Sequence, residues 1–189
     1  MQRAVFVLAG GRSSRMGRDK ALLPFRGRPL VGHVATQARA VTDNITLVGD
    51  VSRYANLGYP VIPDIFPGSG PLAGIHAALA RTHSEWNLIL ACDMPQVTAE
   101  FLVRLVARAE AGRAAAVIPV GPDGVTQPLC AVYHHQCASA VAHALENHIH
   151  KVTEGVATLD IDFWSVPHSH YFRNLNTPEE WAAYSNAAR

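Results

Sequence analysis

The run Ala4-Val5-Phe6-Val7-Leu8 constrains this chain more than any other feature. Five apolar residues without alternation cannot make a strand with one wet face, so the run must be covered on both sides. A strand covered on both sides belongs to a parallel sheet between layers of helix, which points to an α/β fold. The loop after this strand narrows the function. Leu8-Ala9-Gly10-Gly11-Arg12-Ser13-Ser14-Arg15-Met16-Gly17-Arg18-Asp19-Lys20 leaves the strand through three glycines, three arginines and a lysine. Glycines let backbone N–H groups converge on an anion with no Cβ in the way. Arg12, Arg15, Arg18 and Lys20 can donate to phosphate oxygens. A polyphosphate is the natural guest, and a bare strand–helix turn would not need so many cations.

The spacing excludes two familiar phosphate loops. A Walker A loop needs G-x-x-x-x-G-K-[ST], but five residues separate Gly11 from Gly17 and Arg18-Asp19 comes next. The dinucleotide fingerprint G-x-G-x-x-G does not fit Gly10-Gly11 followed by Gly17, so a dehydrogenase is a remote reading.

The rest of the chain repeats the strand–helix alternation. Strands are expected over 3–8, 45–48, 61–63, 87–91, 114–120 and 129–133, with a further one near 158–161. Helices are expected after Pro29, over 72–81, from Thr98 to Ala111, over 137–147 and from Pro178 to the C-terminus. Gly121-Pro122-Asp123-Gly124 reads as a turn. The expected fold is a three-layer, Rossmann-like α/β domain with a mostly parallel central sheet, one domain over residues 1–189. Such sheets bind ligands at the carboxyl ends of their strands, which gathers the loops after residues 8, 48, 63 and 91. A net charge of +1 offers no broad surface to nucleic acid or membrane, so local clusters must carry any anion binding. The absence of a signal-peptide h-region and of a membrane-length apolar run predicts a cytoplasmic protein. Cys92, Cys130 and Cys137, without a C-x-x-C pair, read as reduced thiols. The ten histidines show no ligand spacing and read as surface or capping residues.

Four further segments carry chemistry. In Ala91-Cys92-Asp93-Met94-Pro95, Asp93 lies just past an apolar strand, where a carboxylate can hold Mg²⁺ or can cap a turn or helix. Cys92 reads as a packing residue. Asp64-Ile65-Phe66-Pro67-Gly68-Ser69-Gly70-Pro71-Leu72-Ala73-Gly74-Ile75 has small residues against which a flat base can lie, and Asp64 reads either as an acceptor or as a turn former. Gln127, in Thr126-Gln127-Pro128-Leu129, faces either a ligand or solvent. Asn174 and Asn176 share a strand face, as ligand contacts or as strand-end caps.

The first segment resembles the L-x-G-G-x-S-x-R-M-G-x-D-K signature of the nucleotidyltransferases that make the nucleotide forms of the molybdenum cofactor, in particular the MobA-type molybdenum cofactor guanylyltransferases. Cys92-Asp93-Met94-Pro95, the Asp64–Ile75 segment, Gln127-Pro128-Leu129-Cys130 and Asn174-Leu175-Asn176-Thr177-Pro178-Glu179-Glu180 match further motifs in the family's order. The resemblance implies transfer of GMP from GTP to molybdopterin, giving the guanine dinucleotide cofactor and pyrophosphate. It implies Mg²⁺ on Asp93 and catalytic roles for Arg15, Lys20 and Asp93. Leu8, Ala9, Gly10, Gly11, Lys20, Asp64, Pro71, Leu72, Ala73, Gly74 and Asp93 would bind the nucleotide, and Gln127, Asn174 and Asn176 the acceptor. GTP and molybdopterin are the implied small-molecule partners, with transient contacts to cofactor-delivering proteins or recipient molybdoenzymes, and no nucleic acid or membrane. Alternatives are a cytidylyltransferase acting on molybdopterin, a sugar-phosphate nucleotidyltransferase and a non-catalytic nucleotide-binding protein. One position departs from the family: Val48-Gly49-Asp50 has aspartate where an asparagine commonly comes after the second strand.

Overall fold

The computed structural model describes residues 2–9, 19–66 and 68–174. In chain order the elements are β1 (Arg3–Leu8), β2 (Pro24–Phe25), β3 (Arg28–Pro29), α1 (Leu30–Ala38), β4 (Ile45–Val48), α2 (Val51–Tyr54), β5 (Val61–Ile62), α3 (Pro71–Arg81), β6 (Trp86–Ala91), α4 (Ala99–Ala111), β7 (Ala116–Val120), β8 (Cys130–His134), α5 (Ala138–Glu146), α6 (Val152–Gly155) and β9 (Ile161–Ser165). Seven strands form one sheet in the order β5-β4-β1-β6-β8-β7-β9, and β2 and β3 form a small separate hairpin.

β1 sits between β4 and β6, parallel to both. Its side chains divide between two cores. Val5 and Val7 pack with Val31, Val34, Leu102 and Leu105 on the α1/α4 face. Ala4, Phe6 and Leu8 pack with Leu72, Ile75 and Val141 on the α3/α5 face. A run that alternates between two cores has no wet side, which is why it shows no polar alternation. β8 runs antiparallel to both β6 and β7. The mostly parallel sheet between two helical layers is the expected architecture.

Parallel registry aligns the strand ends. Leu8 pairs with Val48 and with Ala91, and Val48 pairs with Ile62. Single hydrogen bonds continue the ladder past the strands: Ala9 N donates to Val48 O (2.9 Å), Gly49 N to Ile62 O (2.9 Å) and Cys92 N to Leu8 O (3.2 Å). The loops after residues 8, 48, 62 and 91 therefore meet at one edge.

Several elements differ from the sequence expectation, among them the β2–β3 hairpin, which no expected strand covers. The last strand is Ile161–Ser165 rather than 158–161, because its alternation of half-buried and exposed residues marks a sheet edge and gives a weak apolar signal. α2 and α6, four residues each, are too short to show a helical period. The expected C-terminal helix lies outside the described residues. Among the described residues no helix is long and apolar enough to cross a membrane.

Candidate active site

The site is built on the ends of β1 and β6. After β1 the chain returns to the described region at Asp19, whose carboxylate caps a single 3-10 turn over Lys20–Leu22 by accepting from Ala21 N at 3.0 Å. Ala21 is 1% exposed and pins that turn to the core. Lys20 is thereby aimed across the sheet edge at Asp93. Its Nζ lies 2.8 Å from Asp93 Oδ2, with both side chains mostly shielded from solvent. A lysine from the end of the cationic segment and an aspartate from the end of β6 thus meet, although 73 residues separate them.

Asp93 caps no helix. The next helix, α4, takes its cap from Thr98, whose side chain accepts from Phe101 N at 3.3 Å. The second carboxylate oxygen, Oδ1, is buried with no hydrogen-bond partner among the described residues. An unpaired buried carboxylate oxygen is costly, so this one is built to receive a donor or a cation. The side-chain amide oxygen of Asn174, Oδ1, is likewise buried without a partner among the described residues. Oxygen donors of this kind suit Mg²⁺. Among the described residues no three His, Cys, Asp or Glu side chains converge. That donor set fits an ion held by one carboxylate and by ligand phosphates rather than an all-protein cage.

The turn carrying Asp93 is held from below. His33 of α1, 7% exposed, donates from Nε2 to Pro95 O at 3.1 Å. The carbonyl can only accept, which fixes the tautomer, and burial lowers the ring's pKa so that it stays neutral. Cys92 is buried and its thiol is pushed up to about 12 by that burial, so it is a packing residue, as the sequence implies.

The small-residue segment read in the sequence as a platform for a base leads into α3. Gly70 has φ +72°, a left-handed conformation that L side chains resist, and it turns the chain into Pro71 at the first helical position. Gly74 presses on the end of β1: a Cβ there would lie 3.2 Å from Leu8 Cδ2 and 3.7 Å from Asp64 Oδ1. Asp64 therefore overhangs the first turns of α3. Burial alone raises its pKa. Leu8, Leu72 and Ala73 are 7% exposed or less, so their side chains belong to the core and only their backbone can meet a ligand.

Gln127 reaches the same edge, because antiparallel β8 starts where β6 and β7 end. Ala91 N donates to Leu129 O at 2.7 Å, and Gln127 N to Pro119 O at 2.8 Å. Gly10, Gly11, Arg15 and Asn176 lie outside the described residues. Asp50 has its acceptors occupied: Oδ1 takes Ser52 N and Ser52 Oγ, and Oδ2 faces Arg53 Nε at 3.3 Å. It caps α2 and offers a ligand little.

Sequence reasoning missed one residue at this edge. Tyr54, at the end of α2, is 2% exposed and meets both Ala9 and Asp19 through its hydroxyl. No local pattern marks it, since its partners stand 45 and 35 residues away.

A parallel sheet whose carboxyl edge joins a cationic segment, an acidic residue and a small-residue helix start defines a nucleotide-handling α/β protein. Comparison with known proteins narrows this. The model of the MobA-like NTP transferase domain family matches residues 5–159. A probable molybdenum cofactor guanylyltransferase from Carboxydothermus hydrogenoformans is 35% identical over 94% of this chain and 92% of its own length. A molybdenum cofactor guanylyltransferase from Vibrio atlanticus is 33% identical over 92% and 91%. Among solved structures, the molybdopterin-guanine dinucleotide biosynthesis protein A of Archaeoglobus fulgidus superposes with a TM-score of 0.82 at 27% identity, covering 98% of both chains. The chain belongs to the MobA-like nucleotidyltransferase family.

Proposed function

We propose that this protein transfers GMP from GTP to molybdopterin, forming the guanine dinucleotide cofactor and releasing pyrophosphate. The family match and the relatives' names support the reaction class. The observation that carries the assignment to this edge is the Lys20–Asp93 pair, which joins the cationic segment to the end of β6.

The terminal phosphate of molybdopterin attacks the α-phosphorus of GTP in line, and the bond to the β-phosphate oxygen breaks as pyrophosphate leaves. No general base is required, because the phosphate nucleophile is already ionised. The protein's work is positioning and charge neutralisation. Lys20, with Arg15, holds the triphosphate. Asp64 and the backbone at the start of α3 receive the base, whose N1–H and N2–H₂ donors suit a carboxylate acceptor. Gln127, Asn174 and Asn176 face the acceptor. Asp93, with Asn174 as a second oxygen donor, would hold Mg²⁺, which supplies charge neutralisation at the phosphates.

The test supplies purified protein with molybdopterin, Mg²⁺ and GTP, CTP or ATP in turn, and scores dinucleotide by mass. Formation with GTP well above the other two is expected. A preference for CTP overturns the guanine assignment, and no dinucleotide with any nucleotide overturns transferase activity.

A further inference from the structure

We propose that Tyr54 is a positioning residue for the triphosphate, locking together the two ends of the cationic segment. The inference rests on the proposed guanylyl transfer and adds a device which that reaction does not itself require. The Tyr54 hydroxyl lies 2.7 Å from Ala9 O and 2.8 Å from Asp19 Oδ2. Ala9 is the last described residue before the segment and Asp19 the first after it. Two chain positions ten residues apart therefore meet at one phenol oxygen.

The surroundings show a built contact. Asp19 sits in a cationic motif, yet its carboxylate is spent on the chain. Oδ1 takes Ala21 N at 3.0 Å, and Oδ2 takes Tyr54, with Arg53 Nη1 at 3.5 Å. Arg53 also faces Asp50, the cap of α2, so the loop after β4 is braced against the loop after β1. A phenol carries one proton and shares it between its two acceptors, and the charged carboxylate is the stronger of them. Burial, with Asp19 adding to it, drives the phenol pKa far above its ordinary value, so Tyr54 remains a donor at every working pH. Lys20 is the residue directly after Asp19, so the same anchor sets where Lys20 meets Asp93.

In a reaction run by positioning, a displacement of about 1 Å costs up to about 100-fold in rate. Tyr54→Phe removes one oxygen and keeps the buried ring. The experiment measures kcat, the KM of each substrate, affinities for GTP and inorganic pyrophosphate with Mg²⁺, and a melting curve. We expect kcat to fall about 10- to 100-fold and pyrophosphate affinity to fall several-fold, with the molybdopterin KM unchanged. Thr82→Val is the structural control. It removes the hydrogen bond from Thr82 to Asn87 at the opposite sheet edge, and should shift the melting curve without changing kcat. Asp19→Ala frees one end of the segment and should give the Tyr54→Phe signature, with the double variant no worse than the poorer single one.

Wild-type kcat and pyrophosphate affinity in folded Tyr54→Phe overturn the proposal. So does a kinetic loss equal to that of Thr82→Val at equal loss of melting temperature. If Tyr54→Phe fails to fold, Asp19→Ala decides by the same measurements. If wild-type protein makes no dinucleotide, the functional reading fails, and pyrophosphate affinity alone still decides the role of Tyr54.

Discussion

Lys20 and Asp93 show how one contact can serve two states. Without ligand, the ammonium satisfies half of a carboxylate that is largely out of water, while Asp93 Oδ1 stays unpaired among the described residues. In the proposed reaction a triphosphate would compete for the ammonium, and a divalent cation would compete for the carboxylate. Lys20→Met separates the two effects. It should lower turnover by about 10²–10³, the usual loss for one transition-state contact. It should also raise the affinity for Mn²⁺ in the absence of nucleotide, because the cation no longer contends with an ammonium 2.8 Å from its ligand oxygen. Titration of the Mn²⁺ resonance signal reads the second effect without any turnover. Equal Mn²⁺ affinity in the two proteins would show that the ion pair does not guard the carboxylate. Both residues were legible in the sequence as chemistry at a strand end. Their pairing was not, since no spacing rule predicts a contact across 73 residues. Tyr54 was illegible for the same reason, and the capping role of Asp50 was illegible because a four-residue helix leaves no periodic trace.

At the scale of elements, the apolar runs located β1, β4 and β6 to within a residue, because a strand buried on both faces is mostly apolar along its whole length. α3 and α4 were equally plain, expected over 72–81 and from Thr98, and α3 starts one residue earlier, at Pro71. The hard region was 148–170, whose elements are short and lean on others. α6 shows the dependence. A Cβ on Gly155 would sit 2.4 Å from Leu72 Cδ2 and 2.9 Å from Cδ1, and Leu72 is fully buried in the first turn of α3. α6 is therefore a wedge against the helix start assigned to the base. Gly155→Ala must displace Leu72 or α6, an overpacking that costs about 1–3 kcal/mol. At roughly 2–4 °C per kcal/mol for a chain of this size, calorimetry should record a melting temperature lower by about 2–12 °C. An unchanged melting temperature would mean that α6 moves aside freely and does not set the position of α3.

At the scale of the molecule, the edge draws on distant parts of the chain, so a ligand there should stabilise the whole fold. The antiparallel β8 between β6 and β7 is what brings Gln127 to the edge that the parallel strands share with Asp64 and Asp93. A ligand at about 100 times its Kd adds about 2.7 kcal/mol to the native state. GTP with Mg²⁺ should therefore raise the melting temperature by about 5–10 °C at neutral pH, and CTP or ATP by less. The pH dependence identifies the reader of the base. Asp64 has a raised pKa from burial, so its ionised form is disfavoured in the free protein. Between 3.8 and the raised folded value, the folded chain binds more protons than the unfolded one. Asp64 thus lowers the stability of the free protein as pH rises through that window. In the proposed reading guanine's donors face the Asp64 carboxylate and favour its ionised form, so that binding would require deprotonation. The GTP shift should be full at neutral pH and shrink as pH falls through the raised value, before ordinary exposed carboxylates titrate. Asp64→Asn should raise the melting temperature of the free protein, narrow the gap between GTP and CTP, and abolish this pH dependence. Scanning fluorimetry with each nucleotide, from neutral pH downward through the raised value, measures all three. A GTP shift that keeps its size in Asp64→Asn would remove the carboxylate from base recognition and leave the backbone at the start of α3 to perform it.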